Sequence, residues 1–280
     1  MPSPRTALIT GASSGFGLLT AVTLASRGWQ VLATMRDLNR REKLEAAAKN
    51  AGVLDRIQFH SLDVTNAKQI AELAAMVAER PDPLNALVNN AGFAMAGFAD
   101  DVTDTELRLQ FETNFFGAAA VTRAFLPQFR RQRSGHIVMV SSIAGRSGFA
   151  GVGSYVASKF ALEGWSESLR FEFKPLGIKV VLVEPGSFET DIWTRNGTTS
   201  ARTQDAESPN ATRIAKWRKG FESSGPRPNP QIVADGIAAI LDNPKPKLRH
   251  VIGKDAKMAL LMRKLLPFSL YERLLTSRSE

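Results

Sequence analysis

Tyr155 and Lys159 are the two residues whose types and spacing offer the most chemistry in this sequence. Four positions apart on a helix, their side chains project from one face, one above the other. A free tyrosine titrates near ~10 and holds its proton too tightly for rapid transfer at neutral pH. An ammonium ~4 Å away, at an effective dielectric of ~20, favours the phenolate by about 4 kcal/mol, or roughly three pKa units. On that expectation Tyr155 comes close to working pH, where a phenol can give a proton to a carbonyl or take one from an alcohol. The same spacing also fits an ordinary helix with a buried tyrosine and a solvated lysine. What decides between the two is the rest of the chain.

Strand-like and helix-like stretches alternate around the pair. Thr6-Ala-Leu-Ile-Thr10 is a short apolar strand that runs into Gly11-Ala-Ser-Ser-Gly15-Phe-Gly17. An apolar helix follows through Leu18, Val22, Leu24 and Ala25, and Gly28 ends it. Strand, glycine-rich turn and helix in that order make a phosphate cradle, because backbone N–H groups at the helix N-terminus face the anion and glycines let it approach. The spacing is G-x-x-x-G-x-G rather than G-x-G-x-x-G. Gln30-Val-Leu-Ala-Thr-Met35 is the second strand, and its end is where an NAD site carries a carboxylate for the adenosine ribose. Met35 cannot accept there, and the following Arg36 has a donor fork suited to a 2′-phosphate. NADP is therefore the expected cofactor, with NADPH preferred over NADH. Arg36 also reads as a surface arginine before a charged helix, and Asp37 is a competing acceptor two places late.

Further along, Ile57-Gln-Phe-His-Ser61 reads as the third strand and ends at Leu62-Asp63-Val64. Asp63 could accept from an adenine amino group or cap the helix beginning near Asn66. The fourth strand, 84–88, closes on Asn89-Asn90-Ala91-Gly92. A long helix is expected over 104–133, with Asn114 inside an apolar run; a buried asparagine there is costly without partners. Strand five, 136–140, ends at Ser141-Ser142, and strand six, 179–183, leads to Glu184-Pro185-Gly186. Residues 187–230 lose periodicity except near 214–221, and a loop this long after a central strand is expected to be a substrate lid. A helix at 231–241 and a short strand at 250–253 follow. There is no internal repeat and no interdomain linker.

Composition narrows the class. The 280 residues are 44% hydrophobic and 22% charged, ordinary for one large globular domain. Cysteine is absent, which excludes disulfides, thiolate metal sites and cysteine nucleophiles. His60, His136 and His250 show no metal-ligand spacing. No apolar run of about 18 residues occurs and the N-terminus enters a strand early, so a cytoplasmic enzyme is expected. The formal charge is +9, and residues 245–280 hold nine Lys/Arg against three Asp/Glu. No nucleic-acid-binding pattern accompanies that excess. An amphipathic basic extension at about 255–280, interrupted by Pro267, is expected to wall an apolar cleft and to make weak peripheral contact with acidic membrane.

Taken together, these residues resemble the short-chain dehydrogenase/reductase family over about 6–190. The glycine motif T-G-x-x-x-G-x-G is Thr10 to Gly17, N-N-A-G is Asn89 to Gly92, and Ser142 lies thirteen residues before Tyr155. Y-x-x-x-K is Tyr155 to Lys159, and P-G-x-x-x-T is Pro185 to Thr190. The resemblance implies a single doubly wound α/β Rossmann domain with a parallel sheet, the lid preceding the C-terminal helix and strand. It implies Tyr155 as general acid–base, Lys159 lowering its pKa and binding the nicotinamide ribose, and Ser142 polarising the substrate carbonyl. Asn114 would position a water that links Lys159 to solvent. Gly11, Ser13, Ser14, Gly15 and Gly17 would hold the pyrophosphate region under Phe16. Asp63 and Val64 would frame adenine, Asn90 would lie near its ribose, and Phe188 with Thr190 would meet the carboxamide. A homodimer or homotetramer through the helices at 111–129 and 165–173 is also implied.

The V-L-A-T-M-R-D run, the length beyond Thr190 and G-K-D-A-K at 253–257 are similar to the hydroxysteroid and retinol dehydrogenase branch. That implies a lipophilic carbonyl/alcohol substrate. A ketoacyl-thioester reductase and a nucleotide-sensing protein without turnover are the alternative readings.

Overall fold

Alternation along the central strands sorts apolar side chains onto two faces, and the layers follow from it. The computed structural model describes residues 4–190, 192, 197–205, 207–222 and 225–276. Its strands are β1 (Thr6–Ile9), β2 (Gln30–Met35), β3 (Ile57–Ser61), β4 (Leu84–Asn89), β5 (Met95–Ala96), β6 (Gly135–Val140), β7 (Ile178–Pro185), β8 (Thr198–Thr199) and β9 (Arg249–Ile252). Its helices are α1 (Gly15–Ser26), α2 (Glu42–Asn50), α3 (Ala67–Ala78), α4 (Asp104–Phe111), α5 (Ala118–Gln132), α6 (Gly153–Phe173), α7 (Ala211–Glu222), α8 (Gln231–Asp242), α9 (Lys254–Leu265) and α10 (Phe268–Thr276). Ala7, Ile9, Val31 and Ala33 pack with Leu24, Leu44 and Ile237 from α1, α2 and α8. Leu8 and Leu32 point the other way, against Leu73, Phe125 and Leu162 from α3, α5 and α6.

Seven strands form one sheet in the order β3-β2-β1-β4-β6-β7-β9, and every pairing in it is parallel. This is the expected doubly wound Rossmann arrangement in a single domain. The order reverses between β1 and β4, and the carboxyl ends of strands on either side of that point border a crevice.

Two expectations change. The helix expected over 104–133 is α4 and α5 joined by a π-helical segment, Glu112–Gly117, and Asn114 lies in it. The stretch at 187–230 is more ordered than its polar composition suggests. In it β8 pairs in parallel with β5, and the buried Asp101 carboxylate accepts from Thr203 Oγ1 (3.2 Å), Ser208 Oγ (2.9 Å) and Asn210 Nδ2 (3.2 Å). Polar side chains satisfied by one buried acid replace the apolar periodicity that marks other elements. Positions 191, 193–196, 206 and 223–224 of the expected lid, and 277–280 of the C-terminal extension, lie outside the described residues. Among the described residues no helix is long and apolar enough to cross a membrane.

Candidate active site

The crevice is a cavity of about 710 Å³ at the carboxyl ends of the central strands. Its lining includes Gly11, Ser13, Ser14, Gly15, Phe16 and Arg36 at one end. Asp63, Val64 and Asn90 line its flank, and Ser142, Tyr155, Lys159, Phe188 and Thr190 complete it. Gly17 and Asn114 sit behind this surface and act on its shape.

The glycine turn is built for close approach. Gly11 takes φ +68°, and a Cβ on it would come within 2.8 Å of Ala91 Cα. A Cβ on Gly17 would run into Gly11 O and Asn90 Nδ2, so this glycine lets α1 pack directly beneath the turn. Asn90 is a brace: its Nδ2 donates to Thr10 O (2.9 Å) and Gly11 O (3.0 Å). Thr10 Oγ1 accepts in return from the backbone amides of Asn90 and Ala91, both at 3.0 Å. The motifs after β1 and β4 thus hold each other. Phe16 meets Phe188 edge-on at 5.8 Å between ring centroids. A cradle free of Cβ atoms at a helix N-terminus, opening into this volume, fits a dinucleotide pyrophosphate.

At the end of β2, Met35 borders the cavity but is only 2% exposed and belongs to the core. Arg36 is exposed beside it. Asp37 caps the following turn, its Oδ1 accepting from Asn39 N at 2.9 Å. Arg40, which sequence reasoning passed over, also reaches the cavity; nothing in its local pattern separates it from the charged helix that follows. Asp63 Oδ1 accepts from Thr65 N (2.9 Å) and Thr65 Oγ1 (2.7 Å), while the cap of α3 is Asn66, accepting from Gln69 N at 3.1 Å. The capping alternative for Asp63 therefore does not hold: it closes a turn.

Tyr155 and Lys159 occupy one face of α6, both buried. The Tyr155 side chain is hydrogen-bonded to that of Ser142, whose Oγ also accepts from Ala144 N at 3.1 Å. Lys159 Nζ donates to Val140 O at 2.9 Å and stands 5.8 Å from the Tyr155 ring centroid. Burial pushes the phenol up to about 12, with the Ser142 hydrogen bond opposing, and pushes the lysine down to about 8, with the charge of Glu163 opposing. The expected lowering of the tyrosine pKa is thus corrected for the protein alone. The ammonium is tied to a strand-end carbonyl, and desolvation outweighs it.

Asn114 meets its burial cost fully. Its Nδ2 donates to Phe93 O (3.0 Å) and Ser158 Oγ (3.1 Å), and its Oδ1 accepts from Phe93 N (3.1 Å). The π segment delivers the asparagine between the chain leaving β4 and the helix of Tyr155, and π segments recur at functional sites. Phe93, Ile143, Phe149, Val152 and Ile192 add an apolar wall next to Ser142 and Tyr155 that the motifs did not announce.

The family described as short chain dehydrogenase matches residues 5–201. Retinol dehydrogenase 8 of Homo sapiens is 38% identical over 261 residues, spanning 89% of this chain and 81% of that one. A solved short-chain dehydrogenase from Streptomyces avermitilis superposes with a TM-score of 0.82 at 37% identity, covering 97% of this chain and 96% of the other. Another, from Sphingobium yanoikuyae in complex with NADPH, has a TM-score of 0.71 at 25% identity and covers 93% of each chain.

Proposed function

The chain belongs to the short-chain dehydrogenase family, and from that premise we propose an NADP(H)-dependent oxidoreductase acting on a lipophilic carbonyl/alcohol pair. The observation that carries the reading is the Ser142–Tyr155 hydrogen bond set beside buried Lys159, in one cavity with the glycine cradle. When bound, the nicotinamide supplies or accepts the hydride. Tyr155 transfers the proton at its hydroxyl oxygen, and Ser142 holds the substrate oxygen against it and stabilises developing charge. Lys159 offsets the negative charge on the phenolate, and Phe188 and Thr190 orient the carboxamide. Asn114 fixes the wall behind Lys159; Gly11, Ser13, Ser14, Gly15 and Gly17 form the pyrophosphate cradle, with Asp63, Val64 and Asn90 around the adenosine.

Arg36 and Arg40 at the adenosine end support NADP, and the NADPH complex of the Sphingobium yanoikuyae protein supports it too. The apolar wall of Phe93, Phe149, Val152 and Ile192 supports a lipophilic substrate over an acidic thioester, and a relative called retinol dehydrogenase points the same way. The intact Ser142, Tyr155 and Lys159 arrangement favours turnover over nucleotide sensing. A spectrophotometric screen of ketones and aldehydes, from retinal-like to short-chain, with NADPH and with NADH tests this. Faster oxidation of NADPH with long apolar carbonyls is expected, and no oxidation with any carbonyl would overturn it.

Two partners complete the proposal. Exposed Phe116, Phe160 and Phe171 suit pairing of two copies through the faces of the π segment and α6. The surface of α9 and α10 suits an anionic lipid bilayer. Met258, Leu261, Leu265, Phe268, Leu270 and Leu274 are exposed there. Around them stand five cations, Lys254, Lys257, Arg263, Lys264 and Arg273, against Asp255 and Glu272. Apolar area with a cationic rim is what an acidic membrane surface takes up.

A further inference from the structure

The segment that carries Phe188 and Thr190 into the cleft is held from behind by a residue outside the cavity. Gly186 N donates to Ile252 O at 2.9 Å, which continues the pairing of β7 with β9 past Pro185. The next amide, Ser187 N, donates to Asp255 Oδ2 at 2.7 Å. Asp255 lies in the first turn of α9, where a carboxylate is favoured by the helix dipole. Two glycines make room for it. A Cβ on Gly186 would collide with the Asp255 carboxylate, and one on Gly253, whose φ is +115°, would lie 2.5 Å from Asp255 Oδ1.

The residues next in line face the site. Phe188 is 3% exposed, packs edge-on against Phe16, and lies 3.4 Å from where a Gly253 Cβ would stand. Thr190 follows, near Gly15. Gly186, Ser187, Phe188 and Thr190 all line the cavity with Tyr155 and Lys159. One carboxylate on a C-terminal helix therefore sets where the chain leaving β7 turns toward the cleft.

We infer that Asp255 is a positioning residue for the nicotinamide end of the cofactor, acting through the Ser187 amide on Phe188 and Thr190. The inference rests on the NADP reading above. It explains why G-K-D-A-K, which lies more than sixty residues from the nearest motif residue, follows β9 directly. It also ties the cofactor site to α9, the helix proposed to meet the bilayer.

Binding of NADPH and of 2′,5′-ADP, which has the adenosine end and no nicotinamide, separates this role from a general loss of structure. Titrations of the full chain by calorimetry, with thermal melts alongside, compare the parent with Asp255→Ala and Asp255→Asn. Asp255→Ala should weaken NADPH about tenfold, the lower end of losing a hydrogen bond to a charged group, and leave 2′,5′-ADP unchanged. Asp255→Asn keeps an acceptor oxygen and should restore most of the NADPH affinity. Asp255→Leu, similar in shape but with no acceptor, gives the same comparison should the alanine variant fail to fold. Equal loss of both ligands, or no loss of NADPH, would overturn the inference. Failure of the parent to bind either ligand would overturn the NADP reading first and this inference with it.

Discussion

Lys159 Nζ donates to the carbonyl of Val140 at 2.9 Å, so the helix of Tyr155 is pinned by its lysine to the end of β6. That bond places an ammonium under the site but leaves the phenol near 12, protonated at neutral pH. A protonated phenol is the form that can donate to a carbonyl oxygen. The lysine then counts most after the proton has left, when a phenolate must be stabilised.

Tyr155→Phe should therefore keep NADPH binding and lose turnover, by ~10²–10⁴-fold, the usual cost of losing general acid–base catalysis. Lys159→Ala should move the alkaline limb of the pH–rate profile upward and weaken cofactor binding as well. Stopped-flow and steady-state rates on both variants check the pair. Retention of more than about half the parent rate by Tyr155→Phe is incompatible with the role, given that range.

Glu163, four residues beyond Lys159 on α6, predicts a pH dependence of stability. Burial first, then the charge of Glu184, pushes its carboxyl up to about 7; Glu184 is raised by burial too. The cations facing them are Arg249 on β9, 3.1 Å from Glu163 and 3.3 Å from Glu184, Arg146, 3.1 Å from Glu184, and Lys159. For an acid with a raised folded pKa, the folded state binds more protons than the unfolded one between the two values. Stability is thus fullest below the unfolded pKa near 4.5 and falls as pH rises toward about 7. Glu163→Gln, neutral at every pH, should flatten that fall. Urea midpoints from pH 5 to 8 measure it, and equal slopes in parent and variant would remove the buried pair as the cause.

Much of this was legible before the structure, and the boundary has a physical reason. The seven strands of the main sheet, the glycine turn and α6 follow from local periodicity and backbone demands, which neighbouring residues carry; the short β5 and β8 do not. The π segment at Asn114 does not, because its partners Phe93 and Ser158 stand 21 and 44 positions away. The order at 198–210 has the same origin: Asp101 collects donors 102 to 109 positions later, and no local pattern marks it. The tyrosine pKa is not legible either, because the sequence displays the lysine's charge but not the depth of burial that opposes it.

Asp101 is consequently a handle on the segment that the sequence marks as a candidate lid. Asp101→Ala leaves Thr203, Ser208 and Asn210 without their common acceptor, each loss typically about 1 kcal/mol or more. Limited proteolysis should then cut at 198–210 faster in the variant, and KM for the carbonyl substrate should rise with the cofactor KM little changed. Unchanged proteolysis would show that β5 and β8 hold the segment alone.

The bilayer contact gives a separable outcome. Each Lys or Arg near an anionic surface adds ~1 kcal/mol, and the exposed leucines add apolar area. The protein should sediment with anionic vesicles at low salt and less so at high salt, and Leu261→Glu with Leu265→Glu should abolish it. Absence of sedimentation at low salt would leave α9 and α10 as an ordinary packed terminus.

Cofactor choice turns on the end of β2, and the structure changes which side chain should be altered. Met35 is part of the core, so Met35→Asp would bury a carboxylate among Val31, Ala33 and Leu44 and cost stability along with any change of preference. Arg36 and Arg40 reach the cavity from more accessible positions, and Asp37 is engaged by the Asn39 amide. A hydrogen bond to a charged group contributes about 1.5–3 kcal/mol, so NADPH should be preferred over NADH by roughly ten- to a hundredfold in kcat/KM. Arg36→Ala should lower kcat/KM for NADPH toward that for NADH and leave the NADH value unchanged. Arg40→Ala should reproduce part of that loss, and the double variant should use the two cofactors equally. Initial rates with one good carbonyl substrate decide it. Equal use of both cofactors by the parent would mean that the ribose hydroxyls find an acceptor in Asp37, and the NADP assignment would fall while the Ser142, Tyr155 and Lys159 roles stood.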